Sequence, residues 1–200
     1  MINSSKNTAA VILSGGAGTR LNGIDKGLQK YQDKLLIEHV ISRIKPQVNK
    51  LYICANRNLE HYQALGFPVC SDEAQNYQGP LSGISSTLKA LIIDSEADQL
   101  LVSSCDSPHL PYDLKNQLEL ALLAQKDSDV CVAFDGIRRQ NLHCLIRRRA
   151  WQPLIHFFND GGRAMHRWFN QVDTVEADFS NEPDCFNNIN TVKQLNSLDG

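Results

Sequence analysis

The segment Thr8–Gly27 reads T-A-A-V-I-L-S-G-G-A-G-T-R-L-N-G-I-D-K-G and contains the first predicted strand and the loop that follows it. It begins with a short apolar run that leads into glycines, which is the pattern of a buried parallel strand followed by a loop. Outward from this segment, apolar runs of strand length alternate with stretches whose apolar residues follow helical spacing. The alternation predicts an α/β fold with a mostly parallel central sheet.

The remaining elements follow from the same two periodicities, together with the positions of Pro and Gly. Strands are expected at 8–14, 51–55, 67–70, 99–104, 129–134 and, after an Asp135-Gly136 turn, 141–146. Helices are expected at 34–48, 59–65, from Pro80 onward, at 111–125, on both sides of Gly161-Gly162 and after Asn190. No repeat, low-complexity tract or linker divides the sequence, so we expect one domain over residues 1–200.

Composition excludes several classes of protein. The 200 residues are 42% hydrophobic, which is enough for a full core, and the net charge of −2 gives no indication of nucleic-acid binding. No run approaches the roughly 18 apolar residues that span a bilayer, and the N-terminus lacks a signal-peptide pattern. We therefore expect a cytoplasmic protein with no membrane partner. Its six cysteines contain no Cys-x-x-Cys pair and are expected to be buried and reduced.

The loop after the first strand, Leu13–Gly27, has the composition of a phosphate-binding loop. Its glycines allow backbone N–H groups to approach an anion, and Arg20 and Lys26 add two cations that suit a triphosphate. It matches neither G-x-x-x-x-G-K-[ST] nor G-x-G-x-x-G, so it is neither a Walker loop nor a dinucleotide fingerprint. A glycine-rich surface turn with two solvated cations is the alternative.

A candidate metal ligand follows the predicted strand at 99–104. Asp106 lies at the carboxyl end of that strand, where a carboxylate can hold Mg²⁺ together with phosphate oxygens. An N-terminal cap of the next helix is the alternative role for this side chain.

Six motifs, taken in order, resemble those of one family. They are G-G-x-G-T-R-L-x-G-x-D-K-G-L ending at Leu28, A-N-R at 55–57, Asp72, G-P-L-S-G at 79–83, S-C-D-S-P-H-L-P at 104–111 and F-N-N-I-N-T at 186–191. The first resembles the signature loop of the Rossmann-like nucleotidyltransferases, which have helices on both faces of the sheet. The set as a whole is similar to the molybdenum cofactor guanylyltransferases.

The resemblance implies a reaction and a set of site residues. The reaction is the magnesium-dependent transfer of GMP from GTP to the terminal phosphate of molybdopterin, with pyrophosphate released. An N-terminal GTP-binding half and a C-terminal acceptor-binding half are implied, and molybdoenzyme maturation proteins become candidate partners. The implied GTP contacts are Leu13, Ser14, Gly15, Lys26, Cys54, Asp72 and Asp106; the implied catalytic residues are Arg20, Lys26 and Asp106, with Asp106 as the Mg²⁺ ligand; Asn188 and Asn190 are implied on the acceptor side.

Some of these assignments have simpler alternatives. Asp72 could be a turn residue at a strand end, Gly79–Gly83 a plain helix N-terminus, and Asn190 a helix cap. The chain also departs from the family twice. Cys54 stands where the family has a side chain that contacts GTP, so the backbone or Asn56 would have to serve, and the family's proline near Asn141 is missing.

A basic region extends beyond the motifs. Residues 130–170 contain seven arginines and two aspartates, a local net charge of +5. This region is a candidate surface for the anionic acceptor. Arg163 is the expected direct contact, because Gly161-Gly162 ahead of a helix would leave backbone N–H groups free for an anion. A solvated basic face is the alternative, above all for Arg147–Arg149.

Two other functions fit parts of the sequence. One is a nucleotidyltransferase of the same fold that uses CTP or acts on a sugar phosphate. The other is a nucleotide-binding adaptor without catalysis, against which the strand-end carboxylate of Asp106 argues.

Overall fold

A seven-stranded sheet forms the middle layer of the computed structural model, which describes residues 7–14, 25–71, 79–94 and 96–189. In chain order the strands are β1 (Thr8–Leu13), β2 (Lys30–Tyr31), β3 (Lys34–Leu35), β4 (Lys50–Cys54), β5 (Val69–Cys70), β6 (Gln99–Ser104), β7 (Val130–Phe134), β8 (Arg139–Arg147) and β9 (Thr174–Asp178). The strand order across the sheet is β5-β4-β1-β6-β8-β7-β9, and β2 and β3 form a separate hairpin.

The direction of the strands confirms the predicted α/β class. β5, β4, β1 and β6 are mutually parallel neighbours, and β9 is parallel to β7. β8 is antiparallel to both of its neighbours, β6 and β7. The sheet is therefore mostly parallel, with one reversed strand inserted between two parallel groups.

Helices cover both faces of this sheet, as expected. They are α1 (Leu36–Ile44), α2 (Leu59–Gln63), α3 (Pro80–Asp94), α4 (Leu114–Ala124), α5 (Trp151–Asn159) and α6 (Met165–Phe169). Side chains of β1 alternate between the two apolar layers: Ala9 and Val11 face the layer of α3 and α5, and Ala10 and Ile12 face the layer of α1 and α4. All of β1 is thus buried, which explains why its sequence is a continuous apolar run rather than an alternating one.

The structure corrects several details of the predicted elements. β9 and the β2–β3 hairpin were not predicted, and the expected helix after Asn190 lies outside the described residues. The predicted turn at Asp135-Gly136 is confirmed: the Asp135 carboxylate accepts the N–H groups of Ile137 and Arg138, and Gly136 has a φ of +91°.

The cysteines are free thiols, and four of them lie in strands. Cys105 follows β6 by one residue. Burial raises the pKa of its thiol to about 12, so it is protonated at neutral pH. Within the described part of the chain, no helix combines the length and apolar character needed to cross a membrane.

Candidate active site

The carboxyl ends of β1 and β6 bring two predicted site residues together. These strands are parallel neighbours, with Leu13 paired to Ser104 at their ends. The segment that follows each strand therefore leaves the sheet at the same edge, where ligands bind in this class of fold. Lys26 donates from Nζ to Asp106 Oδ2 over 3.3 Å. Two residues 80 positions apart thus form one charged pair at this edge.

The Asp106 carboxylate is held in place but is not sealed off. Ser104 Oγ donates to Asp106 Oδ1 over 2.5 Å, and the Asp106 side chain is 13% exposed. The Lys26 side chain is 32% exposed. Both groups can therefore meet a ligand from solvent, and the serine limits the rotation of the carboxylate. The motif S-C-D-S contains Ser104, but the sequence alone did not assign it a role.

Asp25 anchors the segment that bears Lys26. Its carboxylate is buried and accepts hydrogen bonds from Tyr62 Oη over 2.6 Å and from Asn58 Nδ2 over 3.1 Å. Arg57 lies 3.9 Å from the same carboxylate. Ser14 Oγ donates to Tyr62 Oη over 2.5 Å, which connects the end of β1 to this network. A buried carboxylate with these partners fixes the backbone next to Lys26.

Gly27 shows how closely this segment packs. A Cβ at Gly27 would lie 2.7 Å from Tyr62 Oη and would also overlap Ser14 Oγ. Burial and the hydrogen bond to Asp25 raise the pKa of Tyr62, so its hydroxyl remains a proton donor. The sequence D-K-G therefore combines a buried anchor, a partly exposed cation and a residue without a side chain. Tyr62 was missed because α2 is too short to show which of its faces is buried.

Only some of the residues that are expected to contact the nucleotide lie within the described part of the structure. Gly15, Arg20 and Asp72 lie outside the described residues, and their roles stay predictions. Leu13 and Ser14 end β1, where the Leu13 carbonyl accepts the N–H of Cys105 and the Ser14 N–H donates to the carbonyl of Cys54.

Cys54 lies at the end of β4 but is buried among apolar side chains. Its thiol packs against Gly83 of α3 so closely that a Cβ at Gly83 would overlap it. Asn56, two residues later, is exposed. The structure therefore places the thiol of Cys54 in the core. A contact between Cys54 and GTP stays a prediction, and the exposed Asn56 is better placed than the buried thiol to make such a contact.

Asn188 lies beside the loop that contains Asp106. Its Oδ1 accepts a hydrogen bond from Ser107 Oγ over 2.8 Å, and the N–H of Ile189 donates to the backbone carbonyl of Asp106 over 2.9 Å. The C-terminal segment is thus joined to the strand-end carboxylate at two points. Asn190 lies outside the described residues.

The expectation that Gly161-Gly162 offers free N–H groups is wrong. The two N–H groups donate to the carbonyls of Phe158 and Phe157, and Gly161 has a φ of +94°. The pair closes the C-terminus of α5 rather than opening the N-terminus of α6. Arg163 donates to the carbonyl of Phe158 and stacks on its ring, 4.6 Å from the centroid. A contact between Arg163 and the acceptor stays a prediction, but without its original support.

The basic region is also divided by the fold. Arg147 pairs with Gln99 at the start of β6, whereas Asp106 follows the end of that strand. Arg147–Arg149 therefore lie at the amino edge of the sheet, away from the site. Arg149 donates to the Asp129 carboxylate, and Arg147 donates to the carbonyl of Leu122. These arginines cannot belong to an acceptor surface at the other edge.

The donor set at the carboxyl edge fits Mg²⁺ bound together with a nucleotide. Asp106 would supply a hard carboxylate oxygen, and the ammonium group of Lys26 lies 3.3 Å from that carboxylate, where it would suit phosphate oxygens. In the described ranges, no three His, Cys, Asp or Glu side chains form a group that could hold a metal ion. Mg²⁺ commonly binds through one or two carboxylates plus substrate phosphates and waters, so a single carboxylate is compatible with it.

Comparison with known proteins identifies the family. The model of the MobA-like NTP transferase domain matches residues 10–175. The chain belongs to this family. Two proteins named molybdenum cofactor guanylyltransferase, from Shewanella loihica and Shewanella woodyi, are each 40% identical to it over 189 residues, which is 94% of this chain and 94% of each relative. The resemblance drawn from the six motifs is confirmed, and so is the assignment of the chain as a nucleotidyltransferase.

Solved structures confirm the fold. Molybdopterin-guanine dinucleotide biosynthesis protein A from Archaeoglobus fulgidus superposes with a TM-score of 0.72 at 20% identity, over 94% of both chains. The 4-diphosphocytidyl-2C-methyl-D-erythritol synthase from Anaerococcus prevotii superposes with a TM-score of 0.64 at 10% identity, over 95% of both chains. Because these two structures differ in the nucleotide product that their names give, the fold alone does not select the base.

Proposed function

We propose that this protein transfers GMP from GTP to the terminal phosphate of molybdopterin and releases pyrophosphate. The observation that supports this most directly is the Lys26–Asp106 pair, 3.3 Å apart at the carboxyl edge of β1 and β6, in a chain that is 40% identical to molybdenum cofactor guanylyltransferases over 94% of its length. A cation and a carboxylate at this edge would suit a triphosphate, and the names of the relatives support GTP as the nucleotide and molybdopterin as the acceptor.

The reaction that we propose is a single displacement. An oxygen of the molybdopterin phosphate forms a bond to the α-phosphorus of GTP, and the bond from that phosphorus to the bridging oxygen of pyrophosphate breaks. The electron pair of the broken bond leaves with pyrophosphate. A phosphate monoester is already anionic at neutral pH, so the attacking group needs no strong base. Positioning and charge neutralisation can then account for the acceleration.

The residues at the carboxyl edge have distinct parts in this reaction. The ammonium group of Lys26 neutralises charge that builds on the leaving phosphates, and Arg20 is proposed from the sequence for the same purpose. Asp106 would hold Mg²⁺, which supplies further neutralisation of the triphosphate when it is bound. Asp25 and Tyr62 keep the Lys26 segment in position, because they fix the backbone on one side of it.

Two further parts of the proposal concern the setting of the reaction. We place it in the cytoplasm, where the free thiols of this chain would remain reduced. Molybdoenzyme maturation proteins are proposed as partners that receive the product.

The test is a panel of the four nucleoside triphosphates with Mg²⁺ and molybdopterin, scored by pyrophosphate release. We expect release with GTP and little with ATP, CTP or UTP. Omission of molybdopterin or addition of a chelator should abolish the signal. Release with CTP in place of GTP would indicate a cytidylyltransferase, and GTP binding without release would indicate an adaptor.

Thermal denaturation gives a second measurement that needs no acceptor. A ligand at about 100 times its dissociation constant stabilises a protein by about 2.7 kcal/mol. We expect GTP with Mg²⁺ to raise the melting temperature more than the other three triphosphates do. Equal shifts from CTP and GTP would contradict the choice of guanine.

A further inference from the structure

A bulge in β8 brings an unassigned histidine beneath the active site. Val132 of β7 pairs with Cys144, whereas its neighbour Ala133 pairs with Gln140. The three residues 141–143 of β8 therefore have no counterpart on β7 at this point. Bulges re-aim side chains and are frequent beside active sites. In this case the bulge ends at His143, opposite the end of β6.

His143 is buried and has a partner on each ring nitrogen. Its Nδ1 lies 3.4 Å from Ser103 Oγ, and its Nε2 lies 3.1 Å from Ser107 Oγ. The ring is 2% exposed and packs on Phe186, with 5.3 Å between ring centroids. Burial lowers the pKa of His143 to about 4, so the imidazole is neutral at physiological pH and has one N–H group.

The number of protons on each group determines which groups in this network donate hydrogen bonds and which accept them. Ser107 Oγ donates its one proton to Asn188 Oδ1 over 2.8 Å. The oxygen of Ser107 must then accept from the imidazole, so Nε2 of His143 bears the hydrogen. Nδ1 is left as the acceptor nitrogen, and it lies 3.4 Å from Ser103 Oγ, which also lies 3.5 Å from the carbonyl oxygen of Ser104. The chain of bonds runs from His143 to Ser107 to Asn188, with each group donating to the next.

The direction determines what Asn188 presents to a ligand. Because its carbonyl oxygen accepts from Ser107, its amide nitrogen keeps both N–H groups as donors outside this bond. The residue is exposed, and the next N–H along the chain is bonded to the carbonyl of Asp106. Asn188 therefore has two amide N–H donors on a segment that is bonded to the backbone of Asp106. Donors suit an anionic phosphate, whereas a reversed amide would present a carbonyl oxygen and repel it.

We propose that His143 is a positioning residue which, through Ser107, holds the Asn188 amide with its N–H groups toward the phosphate of the acceptor. The proposal rests on the proposed function for the identity of the acceptor. The orientation of the network rests on the described contacts alone. His143 touches no substrate and transfers no proton.

The kinetic test uses His143→Phe, which keeps an aromatic ring on Phe186 but removes both nitrogens, and Ser107→Ala. Loss of a hydrogen bond of this kind corresponds to roughly a five- to tenfold change. We expect the KM for molybdopterin to rise by about that factor in each variant, with GTP affinity unchanged. His143→Gln, which can donate to Ser107, should restore part of the loss. His156→Phe, at an exposed position on α5, is the matched control and should behave as wild type.

The double variant separates positioning from general loss of structure. If the two residues act in one chain of bonds, His143→Phe combined with Ser107→Ala should raise the KM no further than the larger single effect. Multiplied effects, an unchanged acceptor KM in both single variants, or an equal loss of GTP affinity would overturn the proposal.

A second readout is independent of turnover. Nitrogen-15 NMR of the imidazole in the wild-type protein should show His143 neutral and protonated on Nε2 at pH 7. Protonation on Nδ1 would reverse the chain of bonds and overturn the proposal. If the wild type released no pyrophosphate from GTP with molybdopterin, the proposed function would fail, and the tautomer alone would decide whether the network has the stated direction.

Discussion

The two edges of the sheet hold cations in different surroundings. At the carboxyl edge, Lys26 is partly exposed and faces Asp106, so its charge is available to a ligand. At the amino edge, Arg149 is bonded to Asp129 and to carbonyls of the preceding loop, and Arg147 is bonded to the carbonyl of Leu122. Local charge density in the sequence did not distinguish these groups. Position along the strand does, because in a parallel sheet only one edge faces the ligand.

The largest effect should come from the carboxylate of the carboxyl edge. Asp106→Asn keeps the shape of the side chain and the bond to Ser104 but removes the charge. We expect a folded protein whose turnover falls by about two orders of magnitude or more, the scale of losing one key electrostatic group. Pyrophosphate release measures this. Asp113→Asn, at an exposed site before α4, is the control and should retain activity. Near-normal turnover of Asp106→Asn would place the metal carboxylate elsewhere.

Lys26→Ala should cause the next largest loss of activity at the carboxyl edge. Loss of a charged hydrogen-bond donor to a triphosphate corresponds to about a ten- to hundredfold loss. We expect kcat/KM for GTP to fall by that factor while acceptor binding changes little. Arg20→Ala is expected to act in the same way on sequence grounds. Lys45→Ala removes an exposed positive charge elsewhere and serves as the control. Normal GTP kinetics in Lys26→Ala would remove this lysine from the phosphate site.

Tyr62→Phe tests whether the buried network supports the carboxyl edge. The change leaves Asp25 with one hydrogen bond fewer in a buried position, which we expect to cost about 1–3 kcal/mol of unfolding free energy. Urea denaturation measures the loss. Tyr112→Phe, at a residue that is 66% exposed, should leave stability unchanged. If both variants were equally stable, Tyr62 would not be holding the Asp25 carboxylate.

A substitution at the amino edge should lower the stability of the protein and leave its catalytic activity unchanged. Arg147→Met keeps much of the side-chain length but removes donors to the carbonyls near the end of α4. We expect a loss of about 1 kcal/mol in unfolding free energy. The kinetic constants for GTP and molybdopterin should stay at wild-type values. A raised KM for either substrate would contradict the division between the two edges.

The smallest effect is expected at Arg163. Its guanidinium is bonded to helix carbonyls, so any added interaction with the acceptor is that of a surface charge, worth about 0.2–1 kcal/mol. Arg163→Glu should therefore raise the KM for molybdopterin by no more than a few fold and leave GTP affinity unchanged. An unaltered acceptor KM would remove Arg163 from the acceptor surface.

Much of the fold could be predicted because long buried strands have a clear signal. β1 and β6 are continuous apolar or small-residue runs, and both were found within a residue of their observed ends. The β2–β3 hairpin has two residues in each strand and therefore no measurable period. β9 mixes charged and apolar residues because it is the last strand of the sheet and has a neighbouring strand on one side only.

The candidate site was predictable where one motif contains the chemistry, as at Lys26 and Asp106. The parts of the site that depend on contacts between residues far apart in the sequence could not be predicted. Tyr62 reaches Asp25 across 37 positions, and His143 reaches Ser107 across 36. Neither pair has a local spacing that indicates contact. The error at Gly161-Gly162 had another cause: a glycine pair between two helices can end the first or begin the second, and here it ends the first.

The reversed strand β8 also has a consequence for the order in which the molecule folds. β6 and β7 are separated in the sheet by β8, which is made after both of them. Until residues 139–147 emerge from the ribosome, one side of β6 has no strand partner, while β1, β4, β5 and β6 can already assemble. Arrival of β8 then joins β7 to that group and delivers His143 in the same step, and β9 pairs with β7 afterwards. Docking of β8 would thus connect β6 to β7 and bring His143 into place in one step, so nascent chains that end before β8 should lack both the connected sheet and the buried imidazole.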